Sequence, residues 1–79
     1  MLIYVQEVEG MKKQKRFWLI MKRMEAGYTQ KDFAKSIGMH VTQYRAYENG
    51  RVFPRNDQQL RIANALGFDV ELWDENEKK

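Results

Sequence analysis

The stretch TQKDFAKSIGMHVTQYRAYENG, residues 29–50, decides how this chain folds. Thr29 is a helix N-cap residue, and Phe33, Ala34 and Ile37 follow at helical spacing before Gly38 stops the run. A second helix is expected at once, over residues 41–49, with His40 at its cap position and Gly50 closing it. Met39, Tyr44 and Tyr47 turn inward in that reading, while Thr42, Gln43, Arg45 and Ala46 point elsewhere. The small side chain of Ala34 lets the two axes approach closely. So few residues lie between the helices that a steep crossing is expected instead of an antiparallel hairpin.

Working outward, a preceding helix is expected over residues 12–26, with Gly27 as its stop. Leu19, Ile20 and Met24 can face a core, and Phe17, Trp18 and Met21 spread apolar surface round more of the circumference than one stripe needs. That excess implies a second cover, from the N-terminal segment or another subunit, unless the small domain simply has a wide core face. On the other side, RVFPR at residues 51–55 forms a loop, because Pro54 cannot continue a helix and holds Phe53 extended. Asn56 can cap a further helix over residues 57–66, placing Leu60, Ile62, Ala63 and Leu66 inward before Gly67.

The two ends carry a different period. Residues 2–8 alternate weakly in a β-branched and aromatic composition that favours a strand. Phe68, Val70 and Leu72 alternate with Asp69, Glu71 and Trp73, which favours a second strand over a short helix capped by Asp69. Two such strands could pair with each other or across a two-fold axis. The expected division is therefore a strand-like arm at 1–10, the helical domain at 11–67, and a strand-like segment with an acidic tail at 68–79. The fold class is mainly α, four to five helices with short terminal strands.

Composition narrows the function. Seventy-nine residues make one domain with a small core, so association with a second copy would help. The chain has no cysteine, hence no disulfide framework and no thiolate site. A lone histidine, His40, has no partner for metal binding or catalysis, and no carboxylate pair, nucleophile-base set or phosphate loop points to an enzyme. The N-terminus lacks the pattern of a signal sequence or membrane span, which leads us to expect a soluble cytoplasmic protein. Net charge is only +3, but residues 1–10 carry −2, residues 68–79 carry −3 and the middle holds +8. A basic centre with acidic ends suits a polyanion partner. The run at residues 12–16, Lys12, Lys13, Lys15 and Arg16 among them, reads equally well as a solvated helix start or as a nonspecific phosphate contact.

The residues TQ, FA, IG and YENG, at these separations, resemble the Xre/Cro family of helix-turn-helix DNA-binding proteins, to which phage repressors belong. IANALG resembles that family's usual closing helix. The resemblance implies a lambda-repressor-like fold and a homodimeric transcriptional regulator, expected to be a repressor, that binds double-stranded DNA without a cofactor. It implies that Arg23 pairs with Glu48 in a largely buried ion pair. Phosphate contacts fall to Thr29, Gln30, Asn49 and Arg51, with the amides of Gly50 and Arg51 expected to help. Base readout falls to Val41, Thr42, Gln43, Arg45 and Ala46. Gln43 suits adenine, Arg45 guanine, and Val41, Ala46 or the Thr42 methyl a thymine methyl. Small size, an acidic tail and extra terminal strands also resemble some antitoxins, which would add a toxin partner.

Overall fold

The computed structural model describes residues 15–77. Among them are five α-helices: α1 Phe17–Glu25, α2 Gln30–Ser36, α3 Val41–Glu48, α4 Asn56–Leu66 and α5 Glu71–Glu77. No strand occurs among the described residues. The expected arm at 1–10 and residues 12–14 of the expected first helix lie outside them; residues 15–16 are not helical, and α1 begins at Phe17 because Arg16 N donates to Glu48 O at 2.8 Å and Arg16 takes the N-cap position.

Local chemistry sets the helix ends. The Thr29 hydroxyl oxygen accepts from the Asp32 amide at 3.0 Å, and His40 Nδ1 accepts from the Thr42 amide at 3.1 Å. Each satisfies an amide that has no partner inside its own helix. Helix α2 ends in a paired closure, Met39 N to Ala34 O at 2.8 Å and Gly38 N to Lys35 O at 3.1 Å. Gly38 takes φ +70°, a left-handed conformation that a side chain would strain. Helix α3 repeats the device, with Gly50 at φ +78° and bonds from Arg51 N to Ala46 O and from Gly50 N to Tyr47 O.

The core gathers Leu19, Phe33, Ala34, Met39, Tyr44, Tyr47, Ile62 and Trp73. Phe33 meets Tyr44 edge-on with centroids 5.1 Å apart. A second aromatic group joins it: Trp73 packs edge-on against Trp18 at 5.0 Å and against Phe53 at 6.3 Å. Such contacts add to simple area burial.

Three expectations are corrected. The strand at residues 68–73 is absent, and α5 stands in its place. The Asp69 carboxylate accepts from the Glu71 amide at 2.9 Å and starts the helix, while Val70, Trp73 and Glu77, spaced three and four apart, face inward on it. The burial of Trp73 therefore outweighed the apparent alternation of Phe68, Val70 and Leu72. Met24 is 60% exposed, because the inward face of α1 belongs to Leu19 and Arg23, and Met24 is turned away beside Arg23. Leu60 is 47% exposed, because Gln59, Ile62 and Ala63 hold the inward positions of α4. Gln59 is held inward by donating from side-chain Nε2 to Pro54 O at 2.8 Å, and its backbone carbonyl accepts from Trp73 Nε1 at 3.3 Å.

Candidate nucleic-acid interface

Helix α3 has two unlike faces. Tyr44, Tyr47 and Glu48 are buried. At about 100° per residue, Thr42, Ala46 and Asn49 lie opposite them, and Arg45 and Gln43 flank that outward line on either side. Thr42, Gln43 and Arg45 are exposed, Ala46 and Asn49 half-buried. Val41 is half-buried and packs partly on the core. The two long polar side chains are held in place. Gln43 Nε2 donates to the Tyr47 hydroxyl at 2.8 Å, and Arg45 Nε donates to Gln30 Oε1 at 3.0 Å.

The inward face is fixed by Glu48, whose side chain is 0% exposed. Its Oε2 accepts from Arg23 Nε at 2.6 Å and from the Tyr44 hydroxyl at 2.6 Å. Its Oε1 accepts from Gln30 Nε2 at 2.7 Å and from a terminal nitrogen of Arg23 at 3.4 Å. Arg23 also donates to Tyr28 O at 2.6 Å. A buried carboxylate with a cation and two neutral donors has its lone pairs satisfied, which burial of a charge requires. Burial acts to lower the Arg23 pKa, but the hydrogen bond and charge of Glu48 outweigh it and leave the guanidinium raised above its ordinary value. Burial, followed by the bond to Glu48 and its charge, pushes the Tyr44 phenol well above the usual tyrosine range. This hub ties α1, α2 and α3 together behind the exposed residues.

The phosphate candidates divide between the two ends of the motif. Thr29 is exposed; its oxygen is used in capping, and its O–H is left to donate outward. Gln30 is half-buried, with one amide N–H spent on Glu48 and one left over. Arg51 is exposed and Asn49 half-buried. The Gly50 and Arg51 amides are committed to closing α3, so the expectation that they hold a phosphate is corrected; the side chains of Asn49 and Arg51 remain for that end.

One buried residue escaped the sequence reading. Arg16 donates to the carbonyls of Tyr47 and Val52, the latter at 2.9 Å, and pairs with Glu77 at 3.0 Å. Its guanidinium lies 5.4 Å from the Phe53 ring centroid. It is thus neither a solvated helix start nor a phosphate contact. The charge run around it hid this role, and the aromatic residues downstream were the only available signal.

Among the described residues, no group of His, Asp or Glu side chains is placed to hold a metal ion, and no helix is long and apolar enough to cross a membrane. The helix-turn-helix domain family matches residues 21–75. This chain belongs to that family. A curated relative, the uncharacterized HTH-type transcriptional regulator YqaF of Bacillus subtilis (strain 168), is 34% identical over 61 residues, covering 77% of this chain and 80% of the relative. No solved structure matches this chain. In this helix-turn-helix chain the matched region spans α2 and α3 with the whole Glu48 hub, and it continues into α5.

Proposed function

We propose that this helix-turn-helix protein is a sequence-specific, double-stranded DNA-binding regulator of transcription. It acts as a homodimeric repressor of the Xre/Cro type, with α3 in the major groove. The observation that carries the reading is the division of α3. Its inward face is locked by Glu48, Tyr44 and Tyr47, while Thr42, Gln43 and Arg45 stand exposed. A major groove admits one helix, and amide and guanidinium side chains match adenine and guanine edges there. Gln43 and Arg45 are the principal readers, with Thr42, Ala46 and the exposed part of Val41 packing on thymine methyls. Thr29, Gln30, Asn49 and Arg51 set the register on phosphates.

The DNA-binding unit runs through α5 instead of stopping at residue 67, since Trp73 belongs to its core. One α3 reads few bases, and a two-fold pair doubles the site, with half-sites about 34–36 Å apart. Selection of binding sites from random duplex DNA tests the proposal. The expected product is a palindrome with that spacing, and enrichment no better than that of unrelated DNA would reject it. Arg45→Ala is expected to relax discrimination at one base pair of each half-site. A stoichiometric complex with a second protein whose toxicity it suppresses would assign the chain to the antitoxin class instead.

A further inference from the structure

We propose that Gln30 is a positioning residue for base readout: its side-chain amide sets the direction of the Arg45 guanidinium, so discrimination at the base pair read by Arg45 depends on Gln30 as well. The inference rests on the reading of Arg45 given above.

Three observations carry it. Glu48 already accepts from Arg23 and Tyr44, so it serves Gln30 as an acceptor and must face the Gln30 nitrogen, as it does at 2.7 Å. The amide is planar, and its oxygen is thereby turned the opposite way. That oxygen accepts from Arg45 Nε at 3.0 Å, across fifteen residues of sequence and from one helix to the next. The Arg45 side chain is otherwise exposed and has many rotamers open to it. A bond at Nε, and not at a terminal nitrogen, leaves both terminal nitrogens, on one edge of the planar guanidinium, free to donate together. That pair is what bridges O6 and N7 of guanine. The direction of a surface arginine is in this way referred back, through Gln30 and Glu48, to the buried Arg23.

The role is separable from a phosphate contact. Gln30 keeps a second N–H, and a phosphate bond made by it would add the same affinity on every sequence. Positioning of Arg45 acts only where the base pair is right.

The test uses the full chain and the operator obtained by selection. Affinities of wild type, Gln30→Ala, Gln30→Leu, Arg45→Ala and Gln30→Ala/Arg45→Ala are compared on the operator and on operators altered at the pair to which Arg45→Ala has become indifferent. Gln30→Ala and Gln30→Leu are expected to reduce discrimination at that same pair by roughly 3- to 10-fold, the worth of one hydrogen bond. They should reduce it no further once Arg45 is gone. In the free protein, nitrogen-15 relaxation should find the Arg45 Nε–H more ordered than that of Arg51, and mobile in Gln30→Leu. Loss of affinity that is uniform over all sequences, with discrimination intact, would overturn the positioning role. So would an Arg45 Nε–H as mobile as that of Arg51 in the wild type, a measurement that needs no variant to fold. If Arg45→Ala alters discrimination nowhere, the base-reading assignment itself fails, which is distinct from failure at Gln30.

Discussion

Replacing Arg23 with methionine is expected to cost about 3–5 kcal/mol of stability, because it strands a carboxylate where no water reaches it. Glu48 is 0% exposed. Without Arg23 it keeps only the Tyr44 hydroxyl and the Gln30 amide, two neutral donors for a full negative charge. A domain of this size has about 4–12 kcal/mol in all, at roughly 0.05–0.15 per residue. Most of the stability margin could therefore vanish, and the midpoint should fall by roughly 12–40 °C at about 4–8 °C per kcal/mol. The opposite substitution is milder. Glu48→Gln keeps the shape and one acceptor, and the stranded Arg23 still donates to Tyr28 O, with its side chain 11% exposed. Its cost should be about 1–3 kcal/mol. Arg23→Met/Glu48→Met removes both charges and should be less destabilised than Arg23→Met alone. Urea unfolding followed by tryptophan fluorescence, with circular dichroism as a second probe, measures all three. The reasoning is refuted if Arg23→Met lies within about 1 kcal/mol of wild type, or if the double variant is no more stable than Arg23→Met.

Tyr44→Phe removes a hydrogen bond to a charged group and should cost about 1.5–3 kcal/mol at neutral pH. Because the folded-state phenol is raised above its unfolded value of about 10, that stability is present below about pH 10 and lost as pH rises beyond it. Wild type should therefore lose more stability than Tyr44→Phe between about pH 9 and 11; parallel declines in urea midpoint would contradict this. Ile62→Ala, at a fully buried site, should cost about 2–5 kcal/mol in urea unfolding, whereas Leu60→Gln, two residues away on the exposed side of α4, should stay within about 0.5. Equal losses would return Leu60 to the core. Arg51→Ala should weaken binding to all DNA sequences alike and reduce the slope of log affinity against log salt by about 1, as salt titrations of specific and random duplexes would show.

The motif was legible because its signals are local. Thr29, His40, Gly38 and Gly50 fix helix ends within a few residues of themselves, and Phe33, Tyr44 and Tyr47 carry the helical period between them. The partners at the ends of the domain are remote in sequence, and there the reading failed. At residues 68–73 the local alternation and the Asp69 cap pointed to different structures. What decided between them was the burial of Trp73 against Trp18 and Phe53, which no window of neighbours contains. Gln59 and Arg16 misled for a related reason. Each is a polar residue in an inward position, acceptable only because particular carbonyls, those of Pro54, Tyr47 and Val52, meet it there. Hydrophobic periodicity treats such positions as outward and shifts the face by a residue, which is how Leu60 came to be placed inside. Within the candidate interface the exposed residues were readable as a group. The bonds of Gln30 to both Glu48 and Arg45 were not, since they depend on side-chain geometry across two helices.

The pair of Arg16 and Glu77 joins positions 61 residues apart. Closing a loop of that length costs roughly 3–4 kcal/mol of chain entropy before the contact returns anything. The two helices of the motif and the turn between them need no such closure. Folding should accordingly run from the middle outward, with α5 docking after the rate-limiting barrier. In stopped-flow experiments Glu77→Gln and Trp73→Phe are expected to speed unfolding and leave the refolding rate nearly unchanged, whereas Ala34→Gly, within the motif, should slow refolding. The part of the molecule that meets DNA would then be the first to take shape, and α5 would act as its latch.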